Sequence, residues 1–417
     1  MQHAVPQFGT EIEVRMNGPV ARPSDYESFP YVTRGTDYSA VELVDPSYRR
    51  STFSPELDGE DRRRVDRLLT ESVVVSFHDH PQLLPADMED IDTFLRTKQE
   101  QTAFTELRRS GLTAVFDNWF GVIGGTRRSG WKWDDLVTTL GLRLADIAHQ
   151  EGVVVARRVD DILAAKRNGQ LAFVMGTESA GMIENEIDRI DVLYGLGIRQ
   201  MGLVYSDANT LGGGQKEARD GGLTVFGHRA VERMNALGVL VDVSHAGDRT
   251  SRDAIDASSS PISITHAGAR AVWPIARMKP DDVLRALAER GGVLGIEAAP
   301  HTTLALDHRA QSIESVMRHF VHAVDLMGIE HVAFGPDTLY GDHASFQHAI
   351  SDVIGSSTIF DAGGLDVEKV THVDGLENPT ENFRHITGWL VQHGYSDSDI
   401  RAVLGGNIIR LLGEVWR

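Results

Sequence analysis

The first residues with a spacing suited to chemistry are two histidines that follow an apolar run. The run SVVVSF at 72–77 is followed directly by His78, Asp79 and His80. Side chains alternate along a strand, so His78 and His80 should point the same way and share one ion, while Asp79 points away. An HxH triplet by itself is a weak signal, because most such pairs are surface or core histidines. It predicts a metal site only if other ligands join it.

Ionisable residues follow four further apolar runs of the chain. These are Glu178 after LAFVM, His245 after VLVDV, His266 after PISIT and Asp337 after HVAFG. Each alone is more often a packed histidine or an ion-pair partner, but together they form a ligand set. Two histidines on each of two ions, with Glu178 bridging, would leave positions open for water. Two cations would bring the pKa of water toward neutrality and so provide a nucleophile.

Asp337 suits a different role from the other carboxylate. At the end of the last strand it could take a proton from the attacking water and pass it to the leaving amine. The alternative is a weaker metal ligand or a buried ion-pair partner.

Composition limits which metals and partners are possible. The 417 residues include no cysteine, so any ligands must be His, Asp or Glu, which favours two divalent ions, Zn²⁺ first. The 60 acidic residues against 41 basic ones give a net charge of −19. Such a field repels nucleic acid and anionic membranes, so we expect neither as a partner.

Residues 1–18 do not resemble a signal peptide, and no apolar stretch approaches the ~20 residues of a membrane span. We therefore expect a cytoplasmic protein.

The elements that would position these residues follow a βα rhythm. Eight short apolar runs alternate with segments of helical period, which is typical of a parallel sheet. The runs lie at 72–77, 112–116, 171–175, 199–204, 239–243, 261–265, 292–297 and 331–335. Eight repeats predict an α/β fold, a (β/α)₈ TIM barrel, whose active site lies at the carboxyl ends of the strands. We predict an irregular N-terminal extension over 1–64, packed on a barrel domain over 65–417.

Three stretches of the chain are especially specific: DVSHAGDRT, SITHAGARAVWPIARMKPDD and VLGGNIIRLL. With them, the sequence from about residue 70 onward resembles the renal (membrane) dipeptidase family of amidohydrolase-like metallohydrolases. The resemblance implies two zinc ions and a homodimer. The family's ligand positions correspond to His78, His80, Glu178, His245 and His266 here. It also implies that Arg277, eleven residues after His266, grips the carboxylate of the substrate, and that Asp337 is the catalytic carboxylate of strand eight.

Two positions depart from the family pattern. His80 replaces the family's Asp, which keeps metal binding but adds net positive charge. Tyr205, in Leu203-Val204-Tyr205-Ser206, replaces a His that binds the scissile carbonyl or its tetrahedral intermediate. A tyrosine hydroxyl can still donate one hydrogen bond, although with a different reach.

Other functions fit the sequence less well. The segment Thr177–Gly181 lacks the first glycine of a serine-hydrolase elbow. The segment Leu211–Lys216 lacks Walker spacing, and we predict a flexible loop over the site. Residues 339–375 are predicted to form a second long loop that could close over the site. His343 and His348 within it could contact substrate, although we expect them to face solvent.

The sequence therefore predicts a binuclear metal-dependent hydrolase. It would cleave the amide bond of a small carboxylate-bearing substrate, a dipeptide or an N-acyl amino acid. The alternative is a non-peptidase relative, another amide or lactam hydrolase or a decarboxylase, because Tyr205 replaces the family's histidine.

Overall fold

Parallel strands of the computed structural model form one sheet that nearly closes into a barrel. The structure describes residues 28–47, 51, 53, 55–118, 131–354 and 367–417. The strands are β1 (Val75–Asp79), β2 (Ala114–Asp117), β3 (Val153–Val155), β4 (Leu171–Thr177), β5 (Ile198–Gly202), β6 (Leu240–Asp242), β7 (Ser263–Ala267), β8 (Val293–Ile296) and β9 (Val332–Phe334). Their order is β1-β2-β4-β5-β6-β7-β8-β9. All eight predicted runs contribute a strand to this path, so the predicted TIM barrel is confirmed.

Backbone hydrogen bonds join the two ends of the sheet. The N–H of Asp337, just after β9, donates to the carbonyl of His78 over 2.9 Å. The N–H of His80 donates to the carbonyl of Thr338 over 2.8 Å. The predicted proton carrier and the first predicted ligands are therefore held side by side where the barrel closes.

The strand β3 was not among the predicted eight. It pairs with the start of β4 (Val153↔Leu171), whereas β5 pairs with its end (Thr177↔Met201). Because β2 occupies the other edge of β4, β3 and β5 share one edge. The seven residues of β4 provide room for both, and a three-residue run is too short to be recognised from pattern alone.

Helices alternate with the strands and cover the sheet. They are α1 (Gly59–Glu71), α2 (Ile91–Arg96), α3 (Phe104–Arg109), α4 (Trp133–Ala148), α5 (Val159–Asn168), α6 (Arg189–Leu196), α7 (Val225–Leu237), α8 (Asp248–Ala257), α9 (Asp281–Glu289), α10 (Ile313–Met327), α11 (His343–Ile354), α12 (Asn382–Gln392), α13 (Asp397–Arg401) and α14 (Asn407–Val415). The side chain of Thr224 caps α7, and Gly238 ends it at φ 79°. None of the helices within the described ranges has the length and apolar composition needed to cross a bilayer.

The side-chain alternation of β1 separates the barrel interior from the helices. Val75 and Phe77 belong to one buried cluster with Val174 of β4 and Leu240 of β6, strands that do not neighbour β1 in the sheet, so they face the barrel interior. Val74, of the opposite parity, belongs to the cluster that includes Leu68 of α1 and faces the helices. The register of β1 with β2 shifts near the end of the strand, so simple alternation does not extend to His78.

Two expectations about the periphery can be compared with the structure. The predicted loop 339–375 contains α11, and His343 is buried at its start with only 4% of its surface exposed. The prediction of a solvent-facing His343 is wrong, because the helix turns that side chain inward. His348 is exposed as predicted.

The domain boundary at residue 64 stays a prediction. It falls inside α1, which packs on α12.

Candidate active site

Ends of five barrel strands bring six of the predicted site residues into one cluster. All six are buried, with 0 to 7% of their surface exposed: His78, His80, Glu178, His245, His266 and Asp337. Three overlapping groups of ligand atoms lie within 4.8 Å of one another: His78, His266 and Asp337; His78, His80 and Glu178; and Glu178, His245 and His266. Distant segments of the chain thus meet at the rim where barrel active sites form.

The carboxylate of Glu178 lies between two pairs of histidines. Its Oε1 is 3.9 Å from Nε2 of His78 and 3.6 Å from Nε2 of His80. Its Oε2 is 3.1 Å from Nε2 of His245 and 3.9 Å from Nε2 of His266. Each oxygen faces its own imidazole pair, which is the donor arrangement that a carboxylate shared by two cations requires.

Asp337 contacts His78 and His80, the first histidine pair, whereas His245 and His266 form the second pair. Its Oδ1 lies 3.4 Å from Nε2 of His78 and 3.0 Å from Nε2 of His80. Its backbone has φ 57°, a left-handed conformation that few residues other than glycine adopt. Neighbouring contacts must therefore hold this residue in place.

Asp79 provides such a contact. Its Oδ1 accepts hydrogen bonds from the N–H and the Oγ1 of Thr338, both over 2.8 Å, and its Oδ2 accepts one from Ser76 over 2.6 Å. Asp79 therefore points away from the ligand cluster, as the strand alternation predicted. It fixes the residue that follows Asp337.

Burial keeps three of the histidines neutral. It lowers the pKa of His78 and lowers the pKa values of His245 and His266 well below 6.5. Neutral imidazole is the form that binds a metal.

The remaining ionisable groups reveal a negative potential in the cluster. Burial raises the pKa of Glu178 to about 8, although His80 opposes this. Burial alone would lower the pKa of His80, but contact with Asp337 and Glu178 raises it to about 9. The negative charge next to His80 therefore favours its protonated form, and a bound cation would supply the same positive charge.

A chain of hydrogen bonds lies behind His266. Nδ1 of His266 is 3.0 Å from Oγ1 of Thr265, which is 3.1 Å from Oγ of Ser244, which donates to Asp242 over 2.9 Å. Because the carboxylate of Asp242 only accepts, each hydroxyl must donate toward it. Nδ1 of His266 then carries the proton, and its Nε2 keeps a lone pair toward Glu178.

Asn118 is a partner of His78 that sequence reasoning missed. The amide nitrogen Nδ2 of Asn118 lies 2.9 Å from Nδ1 of His78, and a rotation of the amide by 180° would put Oδ1 there instead. Asn118 follows β2 just as the predicted ligands follow their strands, so the same signal could have found it. An amide oxygen facing Nδ1–H would leave Nε2 of His78 free to bind a metal.

Arg277 lies close to the candidate ligand histidines and contacts other groups of the protein. Its Nη1 donates to the carbonyl of Ser244 over 3.0 Å, and its Nη2 donates to the carbonyl of His266 over 2.7 Å. The same Nη2 forms an ion pair with Glu297, which follows β8 and is completely buried. Burial raises the pKa of Glu297 to about 6, although Arg277 opposes this. Glu297 was also missed, although it ends one of the eight apolar runs.

Tyr205 is placed against the second histidine pair. Its ring stacks on His245 with centroids 4.1 Å apart, and Trp131 packs near it at 5.2 Å. Burial, followed by the charges of Glu178 and Asp337, raises the pKa of Tyr205 well above 10. The hydroxyl therefore stays a hydrogen-bond donor at ordinary pH.

The segment Leu211–Lys216 differs from the predicted flexible loop. Residues 211–215 are buried, and Gln215 N–H donates to the carbonyl of His245 over 3.0 Å. A side chain at Gly214 would lie 2.2 Å from the carbonyl oxygen of Ser206. The glycines thus allow close backbone packing beside His245 rather than a loose cover over the site.

Comparisons with known proteins agree with the sequence resemblance. The model of the membrane dipeptidase family, peptidase family M19, matches residues 62–353. Dipeptidase tcpJ of Claviceps purpurea is 28% identical over 269 residues, which is 64% of this chain and 56% of that protein. The chain spans 52 to 63% of the length of three curated dipeptidases that it matches, tcpJ, aclJ of Aspergillus oryzae and verJ of Clonostachys rogersoniana.

Solved structures share the fold at lower identity. An amidohydrolase from Pseudomonas aeruginosa aligns with a TM-score of 0.72 and 23% identity, over 84% of this chain and 99% of that one. A metallo peptidase from Rhodobacter sphaeroides, liganded with a phosphinate mimic of L-Ala-D-Ala, aligns with a TM-score of 0.63 and 20% identity, over 83% of this chain and 100% of that one.

Proposed function

Since the chain belongs to the membrane dipeptidase family, peptidase family M19, we propose that it hydrolyses the amide bond of a small dipeptide-like substrate with two divalent cations. Zinc is the first candidate, because the donors are imidazole nitrogens and carboxylate oxygens. The relatives called dipeptidases support this substrate class. The homodimer and the cytoplasmic location stay predictions from the sequence.

The observation that carries this proposal is the position of Glu178 between two histidine pairs. Oε1 together with His78 and His80 would hold one cation, and Oε2 together with His245 and His266 would hold the other. When bound, the two cations would polarise the scissile carbonyl and lower the pKa of water.

The protein's own residues supply the proton transfer. Oδ1 of Asp337 lies next to the first histidine pair, where it can accept a proton from the attacking water. The same oxygen then gives that proton to the leaving nitrogen, which departs as a neutral amine.

Tyr205 can support the same step from the second histidine pair. Its stacking on His245 places the phenol beside the cluster, and its raised pKa keeps the hydroxyl protonated. The hydroxyl would donate a hydrogen bond to the oxygen that gains negative charge during attack.

Metal analysis combined with an assay tests the proposal. The purified protein, loaded with zinc or manganese, should contain two metal equivalents and hydrolyse members of a panel of L,L and L,D dipeptides. A chelator should abolish that activity, and added metal should restore it, whereas a serine-directed reagent should have no effect. Loaded protein that contains no metal, or that keeps full activity in chelator, would contradict the proposal.

A further inference from the structure

Both terminal nitrogens of the Arg277 guanidinium already have partners within the protein. Nη1 donates to the carbonyl of Ser244, and Nη2 donates to the carbonyl of His266 and pairs with Glu297. Arg277 and Glu297 are both buried, at 5% and 0% exposure. Water therefore cannot weaken their attraction by screening.

The position of Glu297 blocks the geometry that carboxylate recognition needs. A guanidinium binds a carboxylate with two parallel N–H bonds, either through Nε and Nη2 or through Nη1 and Nη2. Both edges include Nη2, and in Arg277 that nitrogen already serves His266 and Glu297. An incoming carboxylate would have to displace Glu297 or lie against its charge.

The other contacts of Arg277 give it a different role. The two carbonyls that it holds belong to Ser244, which precedes ligand His245, and to ligand His266 itself. Arg277 thus ties the end of β7 to the segment that follows β6. Its charge is balanced by the carboxylate of Glu297.

We propose that Glu297 is a specificity-determining residue, which keeps Arg277 from binding a substrate carboxylate and selects an amide substrate whose corresponding end is neutral and bears an N–H. A carboxamide or a further peptide bond has that chemistry. This inference rests on the proposed function, and it revises the carboxylate-bearing substrate that the sequence predicted.

Paired compounds test the inference. One pair is a dipeptide with a free C-terminal carboxylate and the same dipeptide as a C-terminal carboxamide, assayed for kcat/KM by release of the N-terminal amino acid. The second pair is a phosphinate mimic of the dipeptide with a C-terminal carboxylate and the same mimic with a C-terminal carboxamide. Each is titrated calorimetrically into the metal-loaded protein. The phosphinate is common to both mimics, so the difference in affinity reports the terminus alone.

Substitutions of Glu297 should change the preference in a defined direction. The wild type should favour the carboxamide. E297A and E297Q should shift the ratio toward the carboxylate by about tenfold or more, the scale of one charge-assisted hydrogen bond. E297D, which keeps the charge, should stay close to the wild type, and R277M/E297Q should lose the shift.

The outcomes separate this inference from the proposed function. A wild type that treats both compounds equally or prefers the free carboxylate, or a ratio that E297A and E297Q leave unchanged, would overturn the role of Glu297. If the loaded wild type hydrolyses neither dipeptide, the proposed function fails, and the affinities for the two phosphinates still decide the inference. Equal metal content in all variants confirms that the metal site is intact.

Discussion

The hydroxyl of Thr265 lies 3.0 Å from Nδ1 of the adjacent His266. Through Ser244 and Asp242 this contact fixes which ring nitrogen of His266 carries the proton. No comparable partner contacts Nδ1 of His245 within the described part of the chain. His245 and His266, which face the same oxygen of Glu178, therefore differ in the hydrogen bonds that support their rings.

Replacing Thr265 should weaken one metal site. T265V keeps the shape of the side chain but removes the acceptor for Nδ1–H, so affinity for one cation should fall by about 10- to 100-fold. T265S keeps the hydroxyl and should bind like the wild type. Competition with a chromophoric chelator measures both affinities. Equal loss in T265V and T265S would show that the packing of Thr265, and not its hydroxyl, matters.

Replacing Glu178 should affect both cations together. Its two oxygens face different histidine pairs, so E178A should weaken both sites, whereas H245A should weaken only one. Metal content after dialysis, measured by mass spectrometry, should approach zero for E178A and one equivalent for H245A. Retention of two equivalents by E178A would contradict the shared carboxylate.

Asp337 should be needed for turnover and not for metal binding. Asparagine matches the shape of aspartate and tolerates the left-handed backbone at φ 57°, so D337N should fold normally. Without a proton carrier, kcat should fall by about 10²- to 10⁴-fold while two metal equivalents remain. Unchanged activity would refute the proton role, and loss of metal would make Asp337 a ligand instead.

The hydroxyl of Tyr205 should act on kcat. Y205F keeps the ring that stacks on His245 and removes only the donor. If the hydroxyl stabilises the developing oxyanion, kcat should fall by about 10²-fold with little change in KM. Steady-state kinetics on one dipeptide provide the measurement. A Y205F enzyme with wild-type kcat would limit Tyr205 to packing.

Lys279 should make stability depend on pH. It is completely buried, Nζ donates to the carbonyl of Ala246, and burial lowers its pKa to about 7. Between about 7 and the unfolded value of about 10.4, the unfolded chain binds one more proton, so stability should rise with pH by up to about 1.4 kcal/mol per unit.

Urea unfolding at pH 7.5, 8.5 and 9.5 measures this contribution of Lys279. K279M should reduce the slope of unfolding free energy against pH, while K98M, at a lysine with 40% of its side chain exposed, should keep it. An identical slope in K279M and the wild type would mean that Lys279 stays protonated in the fold.

Much of the fold and of the candidate site could be predicted, because their signals are local. Apolar runs and helical periods identified the barrel strands, and polar residues after them identified His78, Glu178 and His245 as members of one cluster. Asn118 and Glu297 carry the same signal, but a position after a strand does not by itself indicate which side chain a residue contacts.

Tertiary structure alone decided the partners. The sequence predicted that Arg277 would hold a carboxylate, but it could not indicate that Glu297, twenty residues later, would supply one from within. It also could not assign the two oxygens of Glu178 to different histidine pairs or turn His343 inward. The sequence pattern indicates which residues lie at the strand ends, because strands and their ends depend on local backbone geometry. The contacts between those residues depend on how loops and helices pack around the closed barrel.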